Sequence, residues 1–274
     1  MKNPNWKDKQ NKLKVSIAKL GIDQLLVHAD SFKSLNFIDF GENQNENLKK
    51  HVELITSLSS CVALPKFNYD FPKNRLFNFD DFSSQTGAIS EFFSQMHSKT
   101  TFDPMFALSY TSGFEAFSNY QKSIKTFNPS GVFSKFVSEK SGLLLYGAGL
   151  QSVTFIHYVE AMADVTYRYE KKFSGHVLFK GIKSNIEFIS HFRPMGNHFD
   201  YDWKRITDDL IANDLIISLG KYCNLLDMKK LFQFWSQKMK DDHLYFLDKK
   251  TVSWVEPRLQ KLGRRFERKD FERG

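Results

Sequence analysis

The sequence has few cysteines and no long apolar run, and each scarcity excludes a class of protein. Its two cysteines, Cys61 and Cys223, lie in apolar segments without metal-binding or redox spacing, which excludes a disulfide framework and a cysteine-based zinc site. No run approaches the roughly 18 apolar residues of a membrane-spanning helix. Residues 1–14 have no apolar centre, so they do not form a signal peptide. We therefore expect a cytoplasmic protein with no membrane partner.

The size and charge of the chain suit a globular protein that binds small anions. Its 274 residues are enough for one large domain, or for a domain with a C-terminal extension, and no internal repeat is visible. The net charge of +8 favours polyanionic small molecules such as nucleotides and coenzyme A. The densest basic run, residues 264–273, is interleaved with acidic residues and is typical of a solvated end, so no nucleic-acid partner is expected. The sequence leaves open whether the chain forms a homo-oligomer.

Helical patterns alternate with short buried strands along most of the chain. This alternation favours a mostly parallel sheet with helices on both faces. We therefore predict an α/β fold, a layered α/β/α arrangement with a mostly parallel central sheet, an antiparallel hairpin and an α-rich C-terminal extension. The predicted division is a core over 1–200 and an extension over 201–274 packed on it. Helices are predicted over 6–20, 46–59, 87–97, 202–213 and 249–262, strands over 24–28, 61–64 and 143–146, and a hairpin over 175–193 with its turn at 183–185.

The stretch over 141–169 combines a buried strand, a glycine-rich turn and the start of a helix. Residues 143–146 are apolar without alternation, which is typical of a strand covered on both faces. Ser152 is predicted to cap a helix that begins near Thr154. The opening turns of that helix are where we expect the chemistry.

His157 and Glu160 lie three residues apart in this predicted helix and therefore share a face. Near a helix N-terminus the macrodipole disfavours the protonated imidazole, so His157 is expected to be neutral near pH 7. A neutral imidazole beside a carboxylate is the arrangement that a general base requires. An ordinary polar pair on an amphipathic helix has the same spacing, and the spacing alone does not separate the two interpretations.

Three other segments are candidates for ligand binding. The strand over 24–28 runs directly into a helix start, where backbone N–H groups offer a seat for a phosphate or a polarised carbonyl. A loop of some twenty residues after Pro65 is rich in aromatic rings, and loops of that length are uncommon unless they bind something. Rings there stack on a base or a hexose, or close the core beneath the loop. Predicted substrate-binding residues are Asn68, Tyr69, Glu91 and Trp203, and the adjacent hydroxyls of Thr100 and Thr101 serve either a phosphate or a turn.

Taken together, these segments resemble the antibiotic N-acetyltransferase family, which includes the aminoglycoside 3-N-acetyltransferases. The most specific similarity is to the motif Asn-Thr-x-x-His-x-x-Glu, which Thr154, His157 and Glu160 match. The other similarities cover most of the chain. The valine-histidine-serine turn is similar to residues 27–30, the Met-Pro-Thr-Phe loop to 64–67, the Pro-Ser and Thr-Glu pairs to 83–91, the Arg-Ser-x-His-Pro loop to 100–104 and the Pro-Tyr-Arg motif to 166–168.

The resemblance implies an acyl-CoA-dependent N-acyltransferase without a metal. The co-substrate is expected to be acetyl-CoA or a 3-hydroxyacyl-CoA. His157 and Glu160 are then the catalytic residues, with His157 taking the proton of the acceptor amine. The implied cofactor-binding residues are His28, Ala29, Asp30, Ser31, Phe32, Ser84, Thr100, Thr101 and Thr154.

Departures from the family pattern indicate which acceptor to expect. Lys66, Thr100 and Asp103 stand where the family has a small hydroxyl, an arginine and a histidine. The segments over 67–69, 102–106 and 201–203 look more like the branch that acylates nucleotide-linked amino sugars, commonly a dTDP-3-amino-3,6-dideoxyhexose, for surface polysaccharides such as the O-antigen of lipopolysaccharide. We favour that function. An aminoglycoside 3-N-acetyltransferase and a non-catalytic binding protein on the same fold remain the alternatives.

Overall fold

The computed structural model describes residues 6–40, 42–97, 99–138 and 140–272. The strands are β1 (Gln24–Ala29), β2 (Cys61–Pro65), β3 (Leu76–Asn78), β4 (Leu108–Tyr110), β5 (Ser123–Lys125), β6 (Ser141–Tyr146), β7 (Tyr169–Phe179), β8 (Ile182–Phe192), β9 (Ile217–Gly220) and β10 (Cys223–Asp227). The helices are α1 (Trp6–Lys19), α2 (Ser31–Phe37), α3 (Gln44–Thr56), α4 (Phe71–Asn74), α5 (Ala88–Met96), α6 (Lys135–Ser138), α7 (Phe155–Met162), α8 (Trp203–Ala212), α9 (Met228–Asp241) and α10 (Lys249–Leu262).

A six-stranded sheet with the order β4-β2-β1-β6-β10-β9 forms the centre of the molecule. The strands β1, β2, β6 and β9 run in one direction, and β4 and β10 run in the other. The predicted α/β fold with a mostly parallel central sheet is therefore confirmed. Within the described residues, none of the helices is both long and apolar enough to cross a bilayer.

Apolar packing covers the central sheet on both faces. Alternate side chains of β6 point into different clusters, with Leu143 and Leu145 in one and Leu144 and Tyr146 in the other. The first cluster is completed by α7, α8 and α9, and the second by α1, α3 and α5. A strand between two helical layers needs apolar residues at every position, which explains the run without alternation.

A second sheet of four strands, in the order β3-β7-β8-β5, is built on the long antiparallel hairpin of β7 and β8. The hairpin is confirmed, but its predicted turn at 183–185 is wrong because the chain turns at Lys180 and Gly181. Both residues have positive φ, as a two-residue hairpin loop requires, and the carboxylate of Asp80 accepts hydrogen bonds from both N–H groups, at 2.6 and 2.8 Å. Asp80 lies a hundred positions before Lys180 in the chain, so no local sequence pattern indicated that it stabilises this turn.

The start of α7 also differs from the prediction. Ser152 ends a short 3-10 turn, and its hydroxyl donates to the carbonyl of Gly149 at 2.7 Å. The N-cap is Thr154, which has a helical φ and no side-chain capping bond. The prediction that Ser152 caps this helix is therefore wrong, and the first turn of α7 has no side-chain cap.

The C-terminal segment contributes both helices and sheet strands. Aspartates cap α8, α9 and α10 through their side chains, at Asp202, Asp227 and Asp248, and α10 ends at Leu262 as predicted, with Gly263 as its C-cap. Between α8 and α9, the strands β9 and β10 extend the central sheet beside β6. The segment is thus continuous with the sheet, and the domain boundary at residue 200 stays a prediction.

Gly147 allows α2 to pack closely against the turn that follows β6. Its φ is +78°, and a Cβ there would lie 2.5 Å from the carbonyl oxygen of Asp30 and 2.7 Å from the amide nitrogen of Ser34. We expect Gly147→Ala to lower the free energy of unfolding by about 2 kcal/mol or more, because backbone strain and a backbone clash add. The matched control is Gly181→Ala, where φ is +72° and nothing lies within 4 Å. Chemical denaturation showing equal losses for the two variants would contradict the clash.

Candidate active site

His157 and Glu160 face the same side of α7, and their side chains are in contact. The imidazole Nδ1 lies 2.9 Å from Oε2 of Glu160. The side chain of His157 is 29% exposed, whereas that of Glu160 is fully buried. The spacing expected from the sequence thus produces a real pair, with the ring accessible and the carboxylate beneath it.

Glu160 is held by two further residues that follow α7 in the chain. The hydroxyl of Tyr167 donates to Oε1 at 3.0 Å, and Nε of Arg168 lies 2.9 Å from Oε2. Burial by itself raises the pKa of Glu160, but Arg168 and the hydrogen bond from His157 outweigh it and lower the pKa to about 2. Glu160 is therefore a carboxylate at neutral pH and can only accept hydrogen bonds.

The ionised carboxylate determines the tautomer of His157. Nδ1 must carry the hydrogen that Glu160 accepts, which leaves the lone pair on Nε2. The hydroxyl of Tyr201 lies 3.2 Å from Nδ1 and also accepts a hydrogen bond from Arg168. Arg168 in turn donates to the carbonyl of His191 at 3.3 Å, so the ring is fixed by a connected polar network.

The pKa of His157 is lowered, as expected, but the causes are tertiary. Burial is the largest, and the nearby charges of Arg168 and Arg193 act in the same direction, while Glu160 opposes them. The imidazole is consequently neutral at pH 7. Within the described residues, no group of three or more histidine, cysteine, aspartate or glutamate side chains is arranged to hold a metal ion.

Two cavities meet at the imidazole. The β1 cavity, of about 370 Å³, lies where β1 ends and α5 and α7 begin, and its lining includes His28, Ala29, Thr86, Ser90, Thr154 and His157. The β8 cavity, of about 610 Å³, lies beyond the end of β8, and its lining includes Phe127, Arg168, His191, Arg193, Asp200 and Tyr201. Both volumes lie within the range of roughly 300–1,000 Å³ that is typical of ligand sites.

The two cavities share four lining residues, Gln151, His157, Tyr201 and Trp203. Two reactants can therefore approach the same ring from different sides.

Five predicted ligand-binding residues line the β1 cavity: His28, Ala29, Tyr69, Thr154 and Trp203. His28 is buried, and burial lowers its pKa to about 4, so its imidazole is neutral. Trp203 also lines the β8 cavity. The structure brings these residues to the His157–Glu160 pair, and the ligand that each contacts stays a prediction.

The first turn of α2 is partly used by the protein itself. The carboxylate of Asp30 accepts hydrogen bonds from the N–H groups of Phe32 and Lys33, at 3.0 and 2.9 Å. Those two N–H groups are therefore already satisfied within the protein, contrary to the expectation of open donors at this helix start. Phe32 is 78% exposed. The predicted roles of Asp30, Ser31 and Phe32 in binding the cofactor stay predictions.

The predicted residues of the aromatic loop and of α5 contact one another. The segment after Pro65 contains α4 and β3, so the prediction of a long unstructured loop is wrong there. Asn68 accepts from Asp70 N at 3.0 Å, and the N–H of Ser84 donates to Glu91 at 2.6 Å. These bonds shape the loop beside the β1 cavity, and the predicted roles of Asn68, Ser84 and Glu91 in ligand binding stay predictions.

Thr100 and Thr101 lie away from the two cavities. Both are buried, and the Thr101 hydroxyl accepts from the N–H of Leu108 at 2.8 Å. Beside them, the buried carboxylate of Asp103 accepts from the N–H groups of Met105 and Phe106, at 2.8 and 2.7 Å. The Thr101 hydroxyl and the Asp103 carboxylate shape this turn, and the predicted contact of both threonines with the cofactor stays a prediction.

The structure adds four residues that the sequence did not identify as functional: Gln151, Arg168, Arg193 and Tyr201. The two arginines flank the long hairpin: Arg168 directly precedes β7, and Arg193 directly follows β8. Arg168 and Tyr201 stood in motifs that carried the family resemblance, which was the signal available. Nothing local distinguished Arg193 or Gln151.

Comparisons with known proteins agree with this architecture. A family model described as aminoglycoside 3-N-acetyltransferase matches residues 62–240. No curated protein matches the sequence.

Solved structures with the same fold include three aminoglycoside acetyltransferases. The AAC(3)-IVa apoenzyme is 18% identical with a TM-score of 0.59, and the match covers 87% of this chain and 91% of the AAC(3)-IVa chain. AAC-IIIb in a binary complex with CoASH is 13% identical with a TM-score of 0.65, covering 85% and 96%. AAC-VIa bound to sisomicin is 16% identical with a TM-score of 0.64, covering 85% and 97%. At these identities the likeness shows the fold, whereas the family model spans more than half of the chain. The chain therefore belongs to the antibiotic N-acetyltransferase family and is an N-acyltransferase.

Proposed function

We propose that this protein transfers an acyl group from acyl-CoA to the amine of a nucleotide-linked amino sugar, such as a dTDP-3-amino-3,6-dideoxyhexose, for surface polysaccharide synthesis. The observation that carries the proposal is the position of His157, a neutral imidazole supported by a buried carboxylate at the junction of two cavities. One cavity serves the thioester and the other the acceptor. The acyl group is acetyl or a 3-hydroxyacyl group.

His157 supplies the proton transfer that the reaction needs. An ammonium has no lone pair, so Nε2 first takes a proton from it, and the nitrogen of the resulting neutral amine then attacks the thioester carbonyl. The resulting imidazolium is stabilised by Glu160 through Nδ1, at 2.9 Å. When the tetrahedral intermediate collapses, the carbon–sulfur bond breaks, the thiolate of CoA takes the proton from the imidazolium, and the nitrogen releases its second proton to solvent. The products are the amide and free CoA.

The β1 cavity is assigned to acyl-CoA. It lies at the carboxyl end of β1, the edge where α/β sheets commonly bind ligands, and AAC-IIIb of the same fold was solved with CoASH. At the start of α7 the N–H groups of Ile156 and His157 already donate to the carbonyls of Val153 and Thr154, at 3.2 and 3.0 Å. The oxyanion, whose stabilisation contributes about 3 kcal/mol, is therefore assigned to the N–H groups of Thr154 and Phe155. Thr154 and Ser152 line the cavity at this turn.

The charges of the β8 cavity favour a nucleotide-linked acceptor over an aminoglycoside. Among the described residues that line it, Asp200 is the one carboxylate, beside Arg168 and Arg193. An aminoglycoside is a polycation and needs several carboxylates, whereas an amino sugar joined to a nucleoside diphosphate needs cations near its phosphates. The net charge of +8 acts in the same direction.

The test is a screen of acyl-CoA donors against amino-sugar acceptors, read by release of the free CoA thiol. Acetyl-CoA and 3-hydroxybutanoyl-CoA are each incubated with dTDP- and GDP-linked amino sugars and with kanamycin. We expect thiol release with a nucleotide-linked amino sugar and none above background with kanamycin. The reverse result would establish the second candidate, an aminoglycoside 3-N-acetyltransferase, which the family model and the sisomicin-bound AAC-VIa favour. Calorimetry showing no affinity for any acyl-CoA would instead indicate a non-catalytic binding protein.

A further inference from the structure

Arg193 is a cation in the β8 cavity without an acidic partner among the described residues. It directly follows β8, and one nitrogen of its guanidinium donates to the carbonyl of Phe199 at 3.1 Å. That bond spans the loop that follows β8 and holds the side chain over the cavity wall. A guanidinium has five N–H donors, so most of them remain available to a ligand.

Three other arginines of the described residues are neutralised by carboxylates. Arg168 pairs with Glu160 at 2.9 Å, Arg264 with Asp270 at 2.7 Å and Arg265 with Asp164 at 2.6 Å. Arg168 lines the same cavity, but its charge is already neutralised by the buried carboxylate of Glu160. The positive field inside the β8 cavity therefore comes mainly from Arg193.

This charge lies where it disfavours protonation of the catalytic base. Arg193 lowers the pKa of His157 together with burial and Arg168. An anion that binds Arg193 neutralises this charge and so makes His157 more basic once the acceptor is bound. Planar guanidinium groups are suited to phosphate, which they bind through two parallel hydrogen bonds.

We infer that Arg193 anchors a phosphate of the amine acceptor, so that the acceptor spans the β8 cavity with its amine at His157 and its phosphate at the end of β8. This inference rests on the proposed function and makes it more specific. Asp200, the carboxylate that lines the same cavity, is then available to the ammonium before the proton leaves.

Phosphate binding at Arg193 is tested by titration calorimetry with dTDP, which has the diphosphate but no amino sugar. Arg193→Ala is expected to bind dTDP about tenfold or more weakly than the wild type, because a charge-assisted pair is lost. Arg193→Lys keeps the charge without the planar fork and is expected to fall between the two. The matched control is Arg265→Ala, an exposed arginine paired with Asp164, which should bind dTDP as the wild type does. Thermal melting confirms that all variants are folded.

Titration with CoA and a pH profile distinguish the possible failures. Arg193→Ala should bind CoA as the wild type does. Its rate should fall on the acid side at a higher pH than in the wild type, because removing this cation raises the pKa of His157. The other titratable and charged groups that face His157 are Glu160, Arg168, His191 and Tyr201. Equal dTDP affinity in Arg193→Ala and wild type, or a loss of CoA affinity instead, would overturn the anchor. If nucleotide-linked amino sugars are acylated equally well by Arg193→Ala, the anchor is wrong and the proposed function stands. If none is acylated by the wild type, the proposed function fails.

Discussion

Replacing His157 by alanine is expected to lower turnover about a hundredfold or more and to leave CoA affinity nearly unchanged. Removal of a positioned general base typically costs that much, because the acceptor ammonium then has no group that takes its proton. The imidazole lies at the edge of the β1 cavity, which retains the rest of its lining, so CoA binding should persist. Thiol release with the acceptor found in the screen measures turnover, and calorimetry measures CoA affinity.

The control for this variant is His243→Ala, at an exposed position outside both cavities. It should retain wild-type turnover. The wild-type pH profile adds a second check. His157 works as a base only when neutral and its pKa is lowered from 6.5, so kcat/KM should fall on the acid side with a midpoint below pH 6.5. A near-normal rate in His157→Ala would refute the assignment of the base.

Replacing Glu160 by alanine is expected to lower the free energy of unfolding by about 3–5 kcal/mol, because it leaves the buried guanidinium of Arg168 without its counter-charge. The carboxylate is fully buried and lies 2.9 Å from both His157 and Arg168. Urea denaturation measures the loss. Glu53→Ala, at an exposed position of α3, should change the free energy of unfolding by less than about 0.5 kcal/mol. Equal losses in the two variants would show that the buried pair contributes nothing specific.

The contribution of Glu160 to stability should depend on pH in one direction. Its pKa is lowered from 4.5 to about 2 in the folded protein, so the folded state favours the ionised form. The stabilisation is fully present above pH 4.5 and is lost as the pH falls towards 2. The difference in stability between wild type and Glu160→Gln should therefore shrink over that range. A difference that stays constant with pH would contradict the lowered pKa.

Much of the fold was predictable because its signals are local. The unbroken apolar run of β6, the aspartate caps of α8 and α9 and the glycine that ends α10 each follow from residues within one turn or one strand. The three-residue strands β3 and β5 were missed because nothing in their own residues specifies them. They form because the edges of the long hairpin of β7 and β8 offer unpaired backbone groups.

In the candidate site too, the contacts within one helix were predictable, and the contacts from other parts of the chain were not. His157 and Glu160 were predicted as neighbours, since helical geometry brings positions three apart together. Arg168, Tyr201 and Arg193 come from outside α7, and burial together with these two arginines lowers the pKa of His157.

The sequence by itself determined the elements, their alternation and one histidine–glutamate pair, because backbone periodicity and capping act over a few residues. The tertiary structure decided which residues surround that pair, where two cavities meet and that Arg193, in the described part of the β8 cavity, has no acidic partner. Desolvation and Coulomb interactions depend on distances in space, and the Tyr201 hydroxyl beside His157 comes from 44 residues away. No pattern in the chain encodes that distance directly.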